Sequence, residues 1–270
     1  MGTVIDNITL DETNVEFNYA SDFVKHTDRL VYLTGKAGTG KTTFLKYLRE
    51  TTTKNTVILA PTGVAAINAG GQTIHSFFQI KPSVYVPNDK RLRMRADESD
   101  IDRSTIYDHF KYFKERLEII RGLELLVIDE ISMVRADIMD CIDTFLRMYG
   151  PDANQAFGGV QMVLVGDLYQ LPPVVNASEM EIFSKHYDSP YFFSAKVFNN
   201  FAMEIIELEK IYRQKDQEFV ELLNRIRNNS VQDSDIKHLN KRHLPGFSPK
   251  NNEFYISLTT TNKRADEINE

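Results

Sequence analysis

A glycine-rich stretch of the chain has the spacing of a phosphate-binding loop. Residues 35–42 read Gly-Lys-Ala-Gly-Thr-Gly-Lys-Thr, which is glycine, four residues, glycine, lysine and threonine. In such a loop the backbone N–H groups surround phosphate oxygens, the lysine reaches the β and γ phosphates, and the threonine hydroxyl binds Mg²⁺. A flexible glycine turn is the alternative, but the apolar strand-like run before the loop and the helix-like run after it favour a phosphate site. We therefore predict that the chain binds a nucleoside triphosphate with Mg²⁺, through Lys41 and Thr42.

Two carboxylates and a glutamine follow later apolar runs. Asp129 and Glu130 end the run Leu125–Ile128, and beside a phosphate loop they suit Mg²⁺ and the attacking water respectively. A solvated strand end is the alternative reading. Gln170 comes shortly after the run 162–165 and either senses the γ-phosphate or is an ordinary loop amide.

The elements that must position these residues alternate between strand and helix. A helix is predicted over 15–24, strands over 30–33, 57–60, 125–128, 162–165 and 254–258, and helices after Gly40 and over 133–148. This alternation predicts an α/β fold with a parallel sheet flanked by helices. Because ligands bind beyond the carboxyl ends of such strands, the phosphate loop, the carboxylates and Gln170 are expected to meet at one edge of the sheet.

The stretch from about residue 81 to 120 differs from the rest and is predicted to be an insertion. Pro82 and Pro87 interrupt it, charge is dense, and apolar spacing becomes helical only from Ile106 onward. It carries the basic run Lys90–Arg95, which acidic residues follow at once. That run is either a nucleic-acid contact or a solvated loop of mixed charge.

Composition limits the function classes. The 270 residues carry a net charge of −6, so no chain-wide positive field attracts nucleic acid, and such binding must come from a local groove. The sequence has a single cysteine, which excludes an internal disulfide and suits a reducing compartment. No apolar run approaches the length of a membrane span, and we expect an intracellular, cytoplasmic protein of bacterial type that makes no membrane contact.

Six motifs in order resemble those of the superfamily-one DNA helicases of the Pif/RecD-like branch. They cover most of residues 30–265 and are Gly35-Lys-Ala-Gly-Thr-Gly-Lys-Thr-Thr43, Ala60-Pro-Thr-Gly-Val-Ala-Ala66 with Thr73-Ile-His-Ser-Phe-Phe78, Val127-Ile-Asp-Glu-Ile-Ser-Met133, Val165-Gly-Asp-Leu-Tyr-Gln-Leu-Pro-Pro173, Leu208-Glu-Lys-Ile-Tyr-Arg-Gln214 and Leu258-Thr-Thr-Thr-Asn262. The resemblance implies a P-loop NTPase of RecA-like fold that uses ATP and Mg²⁺ to move five-prime to three-prime on single-stranded DNA and to open forks. It also implies a first lobe of residues 1–80 and 121–203, a wedge-like subdomain at 81–120, and an incomplete second lobe at 204–270. We expect a monomer.

The same resemblance assigns roles to individual residues. The nucleotide contacts implied are Gly35, Ala37, Gly38, Thr39, Gly40, Lys41, Thr42 and Thr43. Thr42 and Asp129 hold the metal, Glu130 activates water, Gln170 senses the γ-phosphate, and Arg213 stabilises the transferring charge. The DNA contacts implied are Pro61, Thr62, Gly63, His75, Ser76 and Phe77. From the residues alone, His75 is equally well a structural histidine, and one of Phe77 and Phe78 is expected in the core.

Two features depart from the family pattern. Phe17 stands where the family carries an adenine-reading glutamine, so we predict that an aromatic ring stacks on the base instead. The chain ends at Glu270 within what reads as the start of a helix, so we expect a fragment with weak turnover. Two other functions stay open: a translocase that does not unwind DNA, and a binding module switched by ATP.

Overall fold

The computed structural model describes residues 4–5, 8–9, 11, 13–86, 114–200, 202–212, 217–247 and 255–270. The chain divides into two compact units, Met1–Arg227 and Asn228–Glu270. The predicted insertion lies mostly outside the described residues, as does its basic run Lys90–Arg95.

A parallel sheet forms the centre of the first unit. Its strands are β3 (Leu30–Gly35), β4 (Thr56–Ala60), β5 (Gln72–Thr73), β6 (Leu125–Ile128), β7 (Gln161–Val165) and β8 (Met203–Leu208), after a short antiparallel pair, β1 (Val4–Ile5) and β2 (Ile8–Thr9). Within the described residues the sheet order is β5-β4-β6-β7-β3-β8, and every pair is parallel. The predicted α/β fold with a parallel sheet is therefore confirmed. The order makes β6, β7 and β3 neighbours, so their carboxyl ends lie side by side.

Helices connect and cover these strands. They are α1 (Val15–His26), α2 (Lys41–Thr51), α3 (Gly63–Ala69), α4 (Ile74–Phe78), α5 (Lys114–Arg121), α6 (Ala136–Tyr149), α7 (Ala177–Phe183) and α8 (Gln217–Arg227). Polar residues begin several of them: the Asn14 side chain accepts the N–H of Phe17 at 3.0 Å, and Thr62 accepts that of Ala65 at 3.3 Å. The helix expected from Met133 begins instead at Ala136, because a 3₁₀ turn (Ile131–Met133) precedes it.

Alternate side chains of the strands enter two hydrophobic clusters, one on each face of the sheet. Leu30 and Tyr32 of β3 belong to the cluster that contains residues of α4 and α6. Val31 and Leu33 belong to the cluster that contains residues of α1 and α2. Because both of their faces are covered, β3, β4, β6 and β7 read as continuous apolar runs, and the sequence predicted these four strands. The edge strands β5 and β8 lack such a run and were not predicted.

Strand β8 extends the first unit beyond the predicted lobe boundary. The sequence placed the start of a second lobe at residue 204, yet β8 pairs with β3 from Leu30↔Met203 to Gly35↔Leu208. The first compact unit then continues to Arg227. Residues 204–208 thus belong to the sheet that carries the phosphate loop.

The second unit contains α9 (Asp233–Asn240) and α10 (Asn262–Asn269). A capping box begins α9, in which the backbone N–H of Gln232 donates to Asp235 at 3.0 Å. The strand expected over 254–258 is not formed at the described positions 255–258. A strand needs a neighbour for its hydrogen bonds, and no strand is present among the described residues of this unit.

Candidate functional site

The phosphate loop lies between β3 and α2, with the backbone conformation that its glycines permit. Gly35, Gly38 and Gly40 have φ angles of 146°, 82° and 98°, values that residues with a Cβ rarely adopt. A Cβ on Gly35 would lie 2.5 Å from the carbonyl oxygen of Leu208 in β8. The loop therefore requires glycine for conformation and for close contact with the neighbouring strand.

Lys41 is folded back onto this loop. Its Nζ donates to the carbonyl oxygens of Gly35, at 2.7 Å, and Lys36, at 3.1 Å. Burial lowers the pKa of Lys41, while the negative charges of Asp167, Glu130 and Asp129 act in the opposite direction. An ammonium group at the start of a helix is suited to bind an anionic ligand, because the positive end of the helix dipole attracts the same negative charge.

An open pocket of about 420 Å³ lies over the loop. Its lining residues come from the loop and the first turn of α2, from α1 and the segment before it, and from the segments that follow β6, β7 and β8: Asp11, Asn14, Phe17, Ala37, Gly38, Thr39, Gly40, Lys41, Thr42, Thr43, Glu130, Gln170 and Tyr212. The pocket thus brings together Lys41, Thr42, Glu130 and Gln170, which the sequence placed at separate strand ends.

The two carboxylates directly follow β6, and of the two Glu130 lines the pocket. Glu130 has a positive φ of 50°, and its N–H donates to Oδ1 of Asp129 at 2.9 Å. Burial raises the pKa of Asp129 to about 6; the N–H of Glu130 opposes this shift, and the Glu130 carboxylate adds to it. Strained backbone and a perturbed carboxyl pKa beside a pocket are features of functional sites.

Gln170 belongs to a network around Asp167, a residue to which the sequence analysis gave no role. Oδ1 of Asp167 accepts the N–H of Tyr169 at 3.1 Å, and Oδ2 accepts Nε2 of Gln170 at 3.2 Å. Arg227 of α8 donates to both oxygens, from Nη2 at 3.0 Å and Nε at 3.1 Å. Burial alone would raise the pKa of Asp167, but these hydrogen bonds hold it below its usual value. Asp167 lies within the motif 165–173, whereas no feature of the sequence pointed to Arg227.

The structure corrects the role expected for Phe17. The side chain contributes to the pocket lining, but it is only 7% exposed, and its ring packs edge-on against Phe44 and Tyr47 at centroid distances of 5.3 and 5.4 Å. Because so little of the residue is exposed, its ring offers little surface for stacking on a base. Sequence spacing places Phe17 near the site but does not report its burial.

Tyr212 is the more accessible aromatic residue in the pocket. It is 46% exposed, its N–H donates to the carbonyl of Gly38 at 2.8 Å, and its hydroxyl donates to Asp11 at 2.8 Å. Nδ2 of Asn14 donates to the same hydroxyl at 3.0 Å. Tyr212 lies within the motif 208–214, which predicts no role for it. Arg213, the residue after it, lies outside the described residues.

The segments predicted to contact DNA follow β4 and β5. Pro61 and Thr62 are half-buried, Gly63 is exposed at the start of α3, and on α4 Ser76 is exposed and His75 half-buried. Burial lowers the pKa of His75, and the charge of Arg135 adds to this effect.

Phe77 departs from that expectation. It is 2% exposed and packs edge-on against Phe78 at 4.9 Å. We exclude Phe77 from the DNA contacts, because a ring in the core cannot stack on a base.

No helix in the described parts of the chain is long and apolar enough to cross a membrane.

Comparisons with known proteins agree with this geometry. A sequence model of the PIF1-like helicase family matches residues 11–237. The ATP-dependent DNA helicase PIF1 of Saccharomyces cerevisiae is 32% identical over 227 residues, which cover 80% of this chain and 23% of the yeast protein. The human ATP-dependent DNA helicase PIF1 is 34% identical over 198 residues, covering 73% of this chain and 27% of the human protein.

Solved structures show the same relationship. The crystal structure of the Pif1 helicase from Bacteroides in complex with ADP-AlF3 and ssDNA is 40% identical, with a TM-score of 0.84 over 97% of this chain and 56% of that chain. Bacteroides Pif1 bound to ssDNA gives 41% identity and a TM-score of 0.82. The chain spans about a quarter of the length of these curated relatives and just over half of the Bacteroides chains. A family match over most of the chain, joined to a shared fold, establishes its family: the chain belongs to the PIF1-like helicases.

Proposed function

We propose that this chain is the ATP-binding part of a DNA helicase motor. The observation that carries the proposal is a pocket in which the phosphate loop meets both Glu130 and Gln170. The Bacteroides relative described in complex with ADP-AlF3 and ssDNA supports the same reading. Hydrolysis of ATP would drive translocation five-prime to three-prime on single-stranded DNA and the opening of forks.

In this proposal the loop amides and Lys41 hold the phosphates. The side chains suited to Mg²⁺ are the hydroxyl of Thr42 and the carboxylate of Asp129, because Mg²⁺ prefers hard oxygen ligands shared with substrate phosphates. The ion would neutralise charge that develops on the phosphates. Glu130 is proposed to orient and deprotonate water, Gln170 to contact the γ-phosphate, and Arg213 to stabilise the transferring charge.

The base is proposed to contact Tyr212 rather than Phe17. The Tyr212 ring is half-exposed in the pocket lining, and Asn14 and Asp11 fix its hydroxyl. An aromatic ring of this kind stacks on any base, so the stacking contact alone gives little preference for adenine.

Single-stranded DNA is proposed to contact Pro61, Thr62, Gly63, His75 and Ser76. A relative whose structure concerns DNA unwinding at forked dsDNA supports forks as a substrate.

We further propose that the chain is a monomer and that it works in the cytoplasm, where its buried cysteine stays reduced. The division into two lobes and a wedge-like insertion is also part of the proposal.

The test measures ATP turnover and nucleotide binding by the full chain, with and without single-stranded DNA. Glu130→Gln is expected to bind ATP with unchanged affinity and to lose at least about 10²-fold in turnover, because general-base catalysis contributes about that much. Glu118→Gln, an exposed change on α5, serves as the matched control and should change neither quantity.

The outcomes separate the candidate functions. Loss of nucleotide binding in Lys41→Ala together with loss of turnover in Glu130→Gln supports the motor. Full turnover by Glu130→Gln would contradict the catalytic role, and binding of ATP without any turnover would favour the ATP-switched binding module. A translocase that does not unwind would hydrolyse ATP with DNA present and leave a forked substrate paired.

A further inference from the structure

The carboxylate of Asp167 is buried and paired with one cation. Asp167 follows Gly166 at the carboxyl end of β7, and its side chain is 1% exposed. The Arg227 guanidinium, 16% exposed, donates to Oδ1 at 3.0 Å and to Oδ2 at 3.1 Å. Two parallel hydrogen bonds of this kind fix the relative orientation of both planar groups.

The same carboxylate holds the loop that carries Gln170. Nε2 of Gln170 donates to Oδ2 at 3.2 Å, the oxygen that also accepts Nε of Arg227. The backbone N–H of Gln170 donates to the carbonyl of Asp167 at 2.9 Å. Asp167 therefore lies between Arg227 and the side chain of Gln170, which lines the pocket.

A second contact fixes Arg227 from the loop side. Its guanidinium carbon lies 4.1 Å from the centroid of the Tyr169 ring, within the range of a cation–π interaction. Tyr169 is the residue before Gln170, and its N–H donates to Asp167. Arg227 thus contacts the loop at two residues that precede Gln170, the carboxylate of Asp167 and the ring of Tyr169.

We propose that Arg227 is a positioning residue for Gln170: through Asp167 it fixes the amide that meets the terminal phosphate, and so sets the preference of the pocket for a triphosphate over a diphosphate. The inference rests on the proposed role of Gln170 at the γ-phosphate.

Electrostatics point in the same direction. Asp167 is close enough to Lys41 for its charge to act on the ammonium group, and Arg227 acts there with the opposite sign. Without Arg227, the uncompensated carboxylate of Asp167 would hold the Gln170 amide more strongly and draw it away from the terminal phosphate.

The experiment measures the dissociation constants of ADP and of a non-hydrolysable ATP analogue, each with Mg²⁺, by calorimetry on the full chain. Arg227→Gln is expected to leave ADP affinity within about twofold and to reduce the preference for the triphosphate about tenfold, the size of a lost charge-assisted contact. Arg227→Lys keeps the positive charge without the two-pronged geometry. It should lose part of the preference, and it covers the case in which Arg227→Gln does not fold.

Two further variants separate positioning from simple structural support. Arg225→Gln removes an arginine from the same helix, where its partner is Glu221 at 3.9 Å, and should leave the preference unchanged. Gln170→Ala should lose the preference itself, and adding Arg227→Gln to it should cause no further loss, because residues that act through one group are not additive.

Each outcome decides a separate question. If the wild-type chain binds neither nucleotide, the proposed function fails and the inference fails with it. If the wild type prefers the triphosphate and both Arg227 variants keep that preference, the inference alone is overturned. It is also overturned if the two changes at Gln170 and Arg227 are fully additive, because Arg227 would then act by another route.

Discussion

Burial of the Asp129 carboxyl group raises its pKa from 3.8 to about 6. At pH 7 the Asp129 side chain is ionised in both states, but the charge is less well solvated in the folded chain than in the unfolded chain. The ionised side chain therefore reduces the free energy of unfolding. Asp129→Asn is expected to raise that free energy by about 1–2 kcal/mol at pH 8, after allowance for solvent screening. The gain should be complete above about pH 6 and should vanish below about pH 4, where both states are protonated.

Urea unfolding at pH 8 and pH 4 measures this difference. Asp22→Asn, at an exposed position of α1, is the control and should show no comparable gain. A less stable Asp129→Asn protein at pH 8 would show that the carboxylate stabilises the fold. The same variant should lose Mg²⁺-dependent nucleotide binding, which places Asp129 among residues kept for function at a cost in stability.

Other residues show what sequence could and could not predict. Lys41, Thr42, Glu130 and Gln170 line the predicted pocket because their motifs fix them to the ends of strands. The burial of Phe17 and Phe77 depends on helices that pack from elsewhere in the chain, which the spacing of residues does not report. Arg227 and Asp167 are 60 positions apart in the sequence. Their pairing could not be predicted, because it depends on where α8 packs in the folded chain.

At the scale of elements, the contact between the phosphate loop and β8 leads to a prediction. A Cβ on Gly35 would lie 2.5 Å from the Leu208 carbonyl oxygen and 2.7 Å from the Thr39 hydroxyl, at a φ of 146°. Gly35→Ala is therefore expected to reduce the free energy of unfolding by about 1–3 kcal/mol and to weaken nucleotide binding. Chemical unfolding and a binding titration test both expectations.

Gly63→Ala provides the matched comparison. A Cβ on Gly63 meets nothing within 4 Å, and because α3 begins there, alanine should leave stability unchanged or raise it slightly. If Gly35→Ala and Gly63→Ala reduced the free energy of unfolding equally, the effect at Gly35 would come from replacing any glycine by alanine and not from the contact with β8.

Helices and strands were predicted correctly where the apolar pattern of the sequence matches the burial of the element in the fold. Each strand of the sheet with a continuous apolar run was found, because burial on both faces gives that pattern. The start of α6 was misplaced by three residues, since the positive φ of Glu130 and the 3₁₀ turn that follows leave no mark in apolar periodicity. The strand expected at 254–258 had the right composition, but β structure also needs a neighbour, which composition does not report.

At the scale of the whole molecule, the pocket belongs to one of the two compact units. Its lining residues run from Asp11 to Tyr212, and the unit Met1–Arg227 also contains the complete six-stranded sheet and Arg227 itself. A protein of residues 1–227 is therefore expected to fold cooperatively and to bind ADP within about threefold of the full chain, because it retains these contacts. Circular dichroism melting and calorimetry measure both properties.

A shorter protein of residues 1–216 is the informative comparison, because it lacks only α8. It loses the buried side chains Val220 and Leu222 and the cation that pairs with Asp167. Loss of a buried apolar side chain costs about 1.5–3 kcal/mol, and an unpaired buried carboxylate costs several more. We therefore expect the 1–216 protein to melt at a clearly lower temperature and to lose its preference for a triphosphate. Equal behaviour of the two shortened proteins would mean that α8 contributes neither to the stability of the first unit nor to its recognition of the terminal phosphate.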